Sequence, residues 1–438
     1  MTSSSSGASA PSSGAASSSG GTEKPPVDRG EAYLDIVWRQ FKKNRPAYWS
    51  LWLLLLLFLL AIFAPLIASN QPLVFRDGDQ TIYPWLRSLF HTAETVDFVF
   101  NMALLSFFPW LLLALVSNRA WKRRGMPGRR RLGLTILEFL VLLTCVTAVF
   151  WPAAVRPNNR YAARTFAAED FQASSNKQGY YTLIPYGPIE QDLGVVFKAP
   201  VHRKPAAAWK ESNDGFPHFF GTDNAGRDVL VQMLYALRIS LTIGFVAVSI
   251  YLTIGIIMGA IAGYFGGWID IIISRIIEVV LLFPAFFLIL TLVGLLGRSI
   301  YIIMVVIGIT GWPTIARLIR GEVLKQRGID YVIAARALGA TNPRVIFRHI
   351  LPNALAPALV AAPFGIAGAI VTEAGLSLLG FGLSLPTPSW GSLLKLGSDN
   401  YNFWWLVIVP STGIFITVTI FNLVGGALRD AMDPRMRI

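Results

Sequence analysis

Tyr331-Val332-Ile333-Ala334-Ala335-Arg336-Ala337-Leu338-Gly339-Ala340-Thr341-Asn342-Pro343, continuing through Arg348-His349-Ile350-Leu351-Pro352-Asn353, is a short interval between two long apolar runs, 299–319 and 354–377. Its first half is a run of good helix formers that stops at Gly339, a residue suited to the left-handed position just past a helix end. Asn342 is expected to cap a second short helix with Pro343 at its first position. Leu351-Pro352 is expected to break that helix before the next apolar run. The reading is a compact helix–turn–helix with small alanines exposed on one side. Such a knob, held rigidly by flanking spans, suits insertion into a groove on a partner protein.

Working outward, apolar runs dominate the chain. Its 438 residues are 54% hydrophobic and only 14% charged, with a mean hydropathy of +0.53. Soluble domains carry roughly 25% charge, so an ordinary cytosolic enzyme is excluded. Crossing a hydrocarbon layer of ~30 Å takes about 20 apolar residues. Eight stretches qualify: 50–69, 98–117, 132–152, 241–263, 271–293, 299–319, 354–377 and 403–424. Pro284 and Pro313 lie inside such runs, where neighbouring helices can satisfy the freed carbonyls.

The net charge of +13 invites a nucleic-acid reading, but its distribution argues for topology. The interval 118–131 holds seven basic residues and no acid, and Arg317–Arg348 holds seven basic residues against two acids. By contrast, 70–95 holds two basic and three acidic residues, and 153–235 nine and eight. Lys and Arg stay on the cytoplasmic side. The expected arrangement has both termini in the cytoplasm and no nucleic-acid partner. The division along the chain is a disordered cytoplasmic tail 1–30, an amphipathic segment and first span 31–69, an external loop 70–97, a transmembrane hairpin with a basic loop 98–152, an extracytoplasmic segment 153–235, a transmembrane core 236–430 containing the loop 321–353, and a cytoplasmic end 431–438.

Chemistry-bearing motifs are missing. There is no HExxH, GxSxG or GxxxxGK[ST], and the four histidines lack metal-ligand spacing. No catalytic, cofactor-binding or metal residue is expected. Among acids at membrane depth, Glu138 lies close to the basic loop and Glu278 has Arg275 three residues before it; pairing or snorkelling accounts for both. Glu373, beside the glycine-rich run 375–382, is the candidate to line a cavity. Cys145, the single cysteine, excludes an intrachain disulfide and reads as inert packing. Gly255, Gly259 and Gly263 share one helix face, which suits either packing within the chain or subunit association.

The loop, with its Ala-Ala-x-x-x-Gly core and terminal Leu-Pro, resembles the EAA loop of binding-protein-dependent ABC importer permeases. The stretch from Gly221 to Arg437 resembles the C-type permease of the dipeptide/oligopeptide/nickel family. It is carried by Gly221-Thr222-Asp223-Asn224-Ala225-Gly226-Arg227-Asp228, Ala262-Gly263-Tyr264-Phe265-Gly266-Gly267-Trp268, Pro386-Thr387-Pro388-Ser389-Trp390-Gly391 and Leu428-Arg429-Asp430-Ala431-Met432-Asp433-Pro434-Arg435. The first span and Asn70-Gln71-Pro72-Leu73 are similar to the subgroup for larger peptides, including peptide antibiotics. The resemblance implies an all-α polytopic membrane protein, a type I ABC importer transmembrane domain with an extra hairpin and an extracytoplasmic subdomain, in a bacterial cytoplasmic (inner) membrane. It implies a peptide substrate, with nickel-chelate or opine import as the alternative and a self-sufficient secondary transporter as the rival. The implied partners are a homologous second permease, two ATPase subunits that use ATP-Mg, and an extracytoplasmic solute-binding protein. It assigns ATPase coupling to Ala334, Ala335, Arg336, Gly339, Ala340, Leu351 and Pro352. The outer pathway is expected at Glu373, Ser377, Ser389 and Trp390. Two departures stand out: Ile333 replaces the family's usual loop glutamate, and the hairpin 98–152 is additional to the usual six spans. Lying outside the resemblance, the hairpin is expected at the periphery.

Overall fold

Asn44 separates two helices, α1 (Tyr33–Lys43) and α2 (Arg45–Ile67). Its side chain accepts a hydrogen bond from the Ala47 N–H at 3.3 Å, and Pro46 sits in the first turn, so a fresh helix starts where the apolar run begins. The computed structural model describes residues 33–77, 80–90, 92, 94–155, 177–202, 216–383 and 387–432. The expected tail 1–30 and nearly all of the segment 431–438 therefore lie outside the described residues. After α2 come two short strands, β1 (Val74–Asp77) and β2 (Gln80–Ile82), the single turn α3 (Pro84–Ser88), and two long helices, α4 (Thr95–Arg123) and α5 (Gly128–Val155). β3 (Lys177–Tyr180) precedes the core helices α6 (Val229–Phe265), α7 (Gly267–Leu282), α8 (Ala285–Leu296) and α9 (Ile300–Arg327). The loop then forms α10 (Asp330–Ala337), α11 (Asn342–Arg344), a π-helical turn (Val345–Ile350) and α12 (Leu351–Ala354). α13 (Ala356–Leu378), α14 (Trp390–Asp399) and α15 (Trp405–Met432) complete the chain.

Seven helices among the described residues, α2, α4, α5, α6, α9, α13 and α15, are long and apolar enough to cross a membrane. The run 271–293, read from sequence as one span, is instead two helices, α7 and α8, bent by 83°. The cause is local. Pro284 cannot continue the hydrogen-bond ladder, and Phe283 before it is extended at φ −84°, ψ 130°. α6 also starts earlier than the expected core. Asp228 accepts from the Val231 N–H at 2.9 Å and caps the helix at Val229, inside the segment divided off as 153–235.

The centre of the fold is the crossing of α6 and α9. A side-chain carbon at Gly255, Gly259 or Gly263 would lie 2.7 Å from Ile315, 2.5 Å from the Ala316 carbonyl oxygen and 2.8 Å from the Arg320 carbonyl oxygen, respectively. α9 answers with Gly308 against Ile250 and Gly311 against Tyr251. Absent side chains on both helices bring the backbones together and give dispersion contacts that lipid cannot supply. Of the two readings of this glycine face, the neighbour found is α9 of the same chain.

Away from the helices, β1 pairs antiparallel with both β2 and β3. The loop after α2 and residues Lys177–Tyr180 are thus joined in one small sheet. The intervening α4 and α5 must leave and return to the same side. At the other end, Val37, Phe41 and Ala47 pack on Ala427 and Ala431, which puts α1 and the end of α15 on one side as well.

Candidate functional site

Gly339 adopts φ +81°, as its place after a helix end requires. Its N–H donates to the Arg336 carbonyl at 2.9 Å, and the Ala340 N–H donates to Ala335 at 3.0 Å. These two bonds make a Schellman cap that closes α10 and reverses the chain. Two local expectations are corrected. Thr341, not Asn342, is the capping position of the second helix. Asn342 turns its side chain inward and accepts from the Tyr264 hydroxyl at 2.7 Å. Leu351-Pro352 does not break the chain's course either: proline is tolerated in the first turn of a helix, where its missing N–H has no partner to lose, and here it opens α12.

Tyr264, at the end of α6, fastens the loop to the core. Besides its bond to Asn342, its carbonyl accepts from Arg327 at 2.9 Å, and the Arg336 guanidinium lies 4.8 Å from its ring centre. Nearby, Arg320 of α9 grips both oxygens of Asp270 on α7. Val332, Val345 and Ile350 are fully buried beneath the loop, and Leu351 is buried with them. The outer surface is different. Ala334, Arg336, Gly339 and Pro352 are exposed, while Ala335 and Ala340 are half-buried. Leu338 is 89% exposed, Phe347 71% and Ile333 53%. A rigid turn thus carries three large apolar side chains with nothing of its own to cover them, the arrangement expected of a contact surface. Sequence reasoning singled out the small residues and missed Leu338 and Phe347, whose exposure depends on which face the buried valines occupy.

The four residues expected along the outer pathway come together, but inside the chain. Glu373 and Ser389 are fully buried, and Ser377 and Trp390 nearly so. Ser377 donates to Glu373 at 2.8 Å, Ser389 caps α14, and the Trp390 indole donates to the Met233 carbonyl at 3.1 Å. Gly391 permits this knot, because a side-chain carbon there would lie 2.4 Å from Ser377. Ser377 alone of the four borders a cavity of about 200 Å³, lined also by Arg227, Gln232, Arg298 and Lys395.

A further polar cluster escaped the sequence. Arg238 of α6 is completely buried, and its guanidinium reaches Asp97 at 3.1 Å and Asn101 at 3.0 Å on α4, and the Ala61 carbonyl of α2 at 2.7 Å. Tyr235 and Phe100 flank it. The available signal was an arginine beside an apolar run with an aspartate beside another, a pairing that intramembrane charges favour. The hairpin is therefore peripheral only in part: α5 has no buried residue in its membrane window, but the first half of α4 is anchored in the core.

Residues 255–438 match the family model described as binding-protein-dependent transport system inner membrane component, and residues 32–84 match the N-terminal TM domain of oligopeptide transport permease C. The dipeptide transport system permease protein DppC of Alkalihalophilus pseudofirmus is 43% identical over 224 residues, covering 50% of this chain and 73% of that protein. The inner membrane ABC transporter permease protein YejE of Escherichia coli is 30% identical over 403 residues, 92% of this chain and 97% of that one. The peptidoglycan transport system permease protein YejE of Agrobacterium fabrum is 28% identical over 91% of this chain and 92% of its own. At such coverage the two YejE proteins align through the hairpin. Among solved structures, the inward-facing MetNI methionine ABC transporter gives a TM-score of 0.39 at 17% identity, over 46% of this chain and 96% of that one.

Proposed function

Because the chain belongs to the family of binding-protein-dependent transport system inner membrane components, the permeases of ABC importers, we propose that it forms half of the translocation pathway of a peptide importer. A homologous permease supplies the other half, two ATPase subunits that consume ATP-Mg bind below, and an extracytoplasmic solute-binding protein delivers substrate from above. Di- and oligopeptides are the favoured cargo, since relatives of both the short and the long alignment are named for peptide or peptidoglycan transport. The chain itself carries no nucleotide-binding P-loop, which leaves hydrolysis to the partners.

The observation that carries this reading is the capped turn at Gly339 with Leu338, Phe347 and Ile333 bare around it. When the ATPases close, a knob seated in them moves as a unit, and Tyr264 passes that movement to α6, α9 and, through Asp270, α7. The knot of Glu373, Ser377, Ser389 and Trp390 fixes the outer end of α13 against α14 beside the pathway. Gly339→Val forces a β-branched residue to positive φ, at a cost of about 1–3 kcal/mol confined to the loop. Leu338→Asp leaves the fold alone and puts a charge into the apolar contact. Both variants are expected to insert and pair normally yet lose most ATPase co-purification and binding-protein-stimulated hydrolysis in nanodiscs. Wild-type behaviour of both would remove the loop from the coupling role.

Both termini lie in the cytoplasm in this reading. In a Cys145→Ser background, cysteine at Leu193, which is 78% exposed, should react with an impermeant maleimide on intact cells. Cysteine at Arg124 should react only after lysis. The reverse pattern, or equal labelling, rejects the orientation.

A further inference from the structure

The hairpin ends in a concentration of positive charge that its fold does not use. Arg119, Lys122, Arg123 and Arg124 close α4 and Arg130 opens α5, all five exposed and none within ion-pair distance of a carboxylate among the described residues. Arg131 joins them, half-buried; its terminal nitrogen donates to Asn118 at 3.1 Å, but its Nε is buried without an acceptor. The turn between the helices is tight, with Gly125 at φ +71°, so the two basic helix ends are held side by side. Immediately along the hairpin from these cations the surface becomes apolar. α5 is covered by α4 and leaves Leu132, Ile136, Leu137, Leu140 and Val141 more than half exposed.

An anion meeting this end of the hairpin finds several exposed cations on two adjoining helix ends and a bare hydrocarbon wall beside them. We propose that it is a binding site for anionic phospholipid, whose headgroup phosphate is held by Arg119, Lys122, Arg123, Arg124 and Arg131 while its acyl chains lie along α5. Both parts of the lipid are needed to use the surface; a free phosphate engages only the basic end. Positive-inside placement accounts for the side on which such residues stand. The unpaired Nε and the apolar wall beneath the cations point further, to a specific occupant.

The test is a titration of the detergent-purified transporter with dioctanoyl phosphatidylglycerol, dioctanoyl phosphatidylcholine and glycerol 3-phosphate. Phosphatidylglycerol should bind saturably and about tenfold more tightly than either comparator, and its affinity should fall as salt rises from about 50 mM to about 500 mM. Joint replacement Arg119→Gln, Lys122→Gln, Arg123→Gln and Arg124→Gln should weaken it by about tenfold or more, whereas Arg119→Lys, Arg123→Lys and Arg124→Lys together should keep most of it. Equal binding of glycerol 3-phosphate makes this a soluble-anion site, and equal binding of phosphatidylcholine makes it ordinary annular contact; either result overturns the proposal, as does wild-type affinity in the glutamine variant. If that variant does not assemble, the salt dependence of the wild type decides, and an affinity indifferent to salt rejects the site.

Discussion

Arg238→Met is expected to destabilise the protein by about 3–5 kcal/mol, the typical cost of removing one member of a buried ion pair. The loss is large because the arginine serves three helices at once. Without it, Asp97 and Asn101 lose the partner that ties them to α6, and the Ala61 carbonyl of α2 loses its donor. Asp97→Ala should cost nearly as much, since it leaves the guanidinium in the core. The double variant Arg238→Met, Asp97→Leu should recover much of the loss, because well-packed apolar residues often replace a buried pair at little cost. Thermal unfolding of the detergent-solubilised protein, followed by gel filtration, measures all three. Equal stability of the single variants and the wild type would show that water reaches the pair. The same network bears on hairpin deletion. Excising α4 and α5 takes Asp97 and Asn101 away together, so the remaining core is expected to misassemble, contrary to what a peripheral hairpin would allow.

Gly259→Val has the second largest expected effect. Its first added carbon would lie 2.5 Å from the Ala316 carbonyl oxygen and 2.9 Å from Ile319. A backbone oxygen cannot rotate aside, so α6 and α9 must separate along their contact. Over-packing of this kind costs about 1–3 kcal/mol and occasionally more, and here it falls at the crossing that positions Tyr264. Gly321→Ala is the matched control, because a side-chain carbon there meets nothing within 4 Å. That change should be neutral or slightly stabilising, by less than about 1 kcal/mol. Expression and melting temperature of the two variants decide: a Gly259→Val protein as stable as Gly321→Ala would mean that the close crossing does not set the outcome.

The parts of the fold legible in the sequence are those encoded locally. Apolar runs gave the spans because a hydrocarbon layer selects for length and hydropathy alone. Gly339 revealed its left-handed turn because few other residues tolerate that geometry. The bend at Pro284 was visible as a proline, but hydropathy carries no direction, so two helices at 83° read as one. Arg238 and Asp97 are 141 residues apart, and each sits at the border of a span, where a charge looks like a loop residue. Leu338 and Phe347 passed unnoticed for a related reason: in a short surface helix, which apolar side chains are bare is settled by the neighbours that bury Val332 and Val345. The strands are three or four residues long and show no usable alternation, so nothing short of the folded chain reveals their pairing.

That pairing imposes an order on biogenesis. β1 and β2 emerge together, but β3 follows roughly a hundred residues later, which at ordinary rates of synthesis is about 5–20 s. In that interval α4 and α5 must cross and recross the membrane before the third strand arrives to meet its partner. The sheet is thus a late clasp that closes only on a hairpin threaded in the right sense. A hairpin left in the translocation machinery, or inserted upside down, leaves β1 with an open edge and an unsatisfied row of backbone groups, ready to pair with another chain.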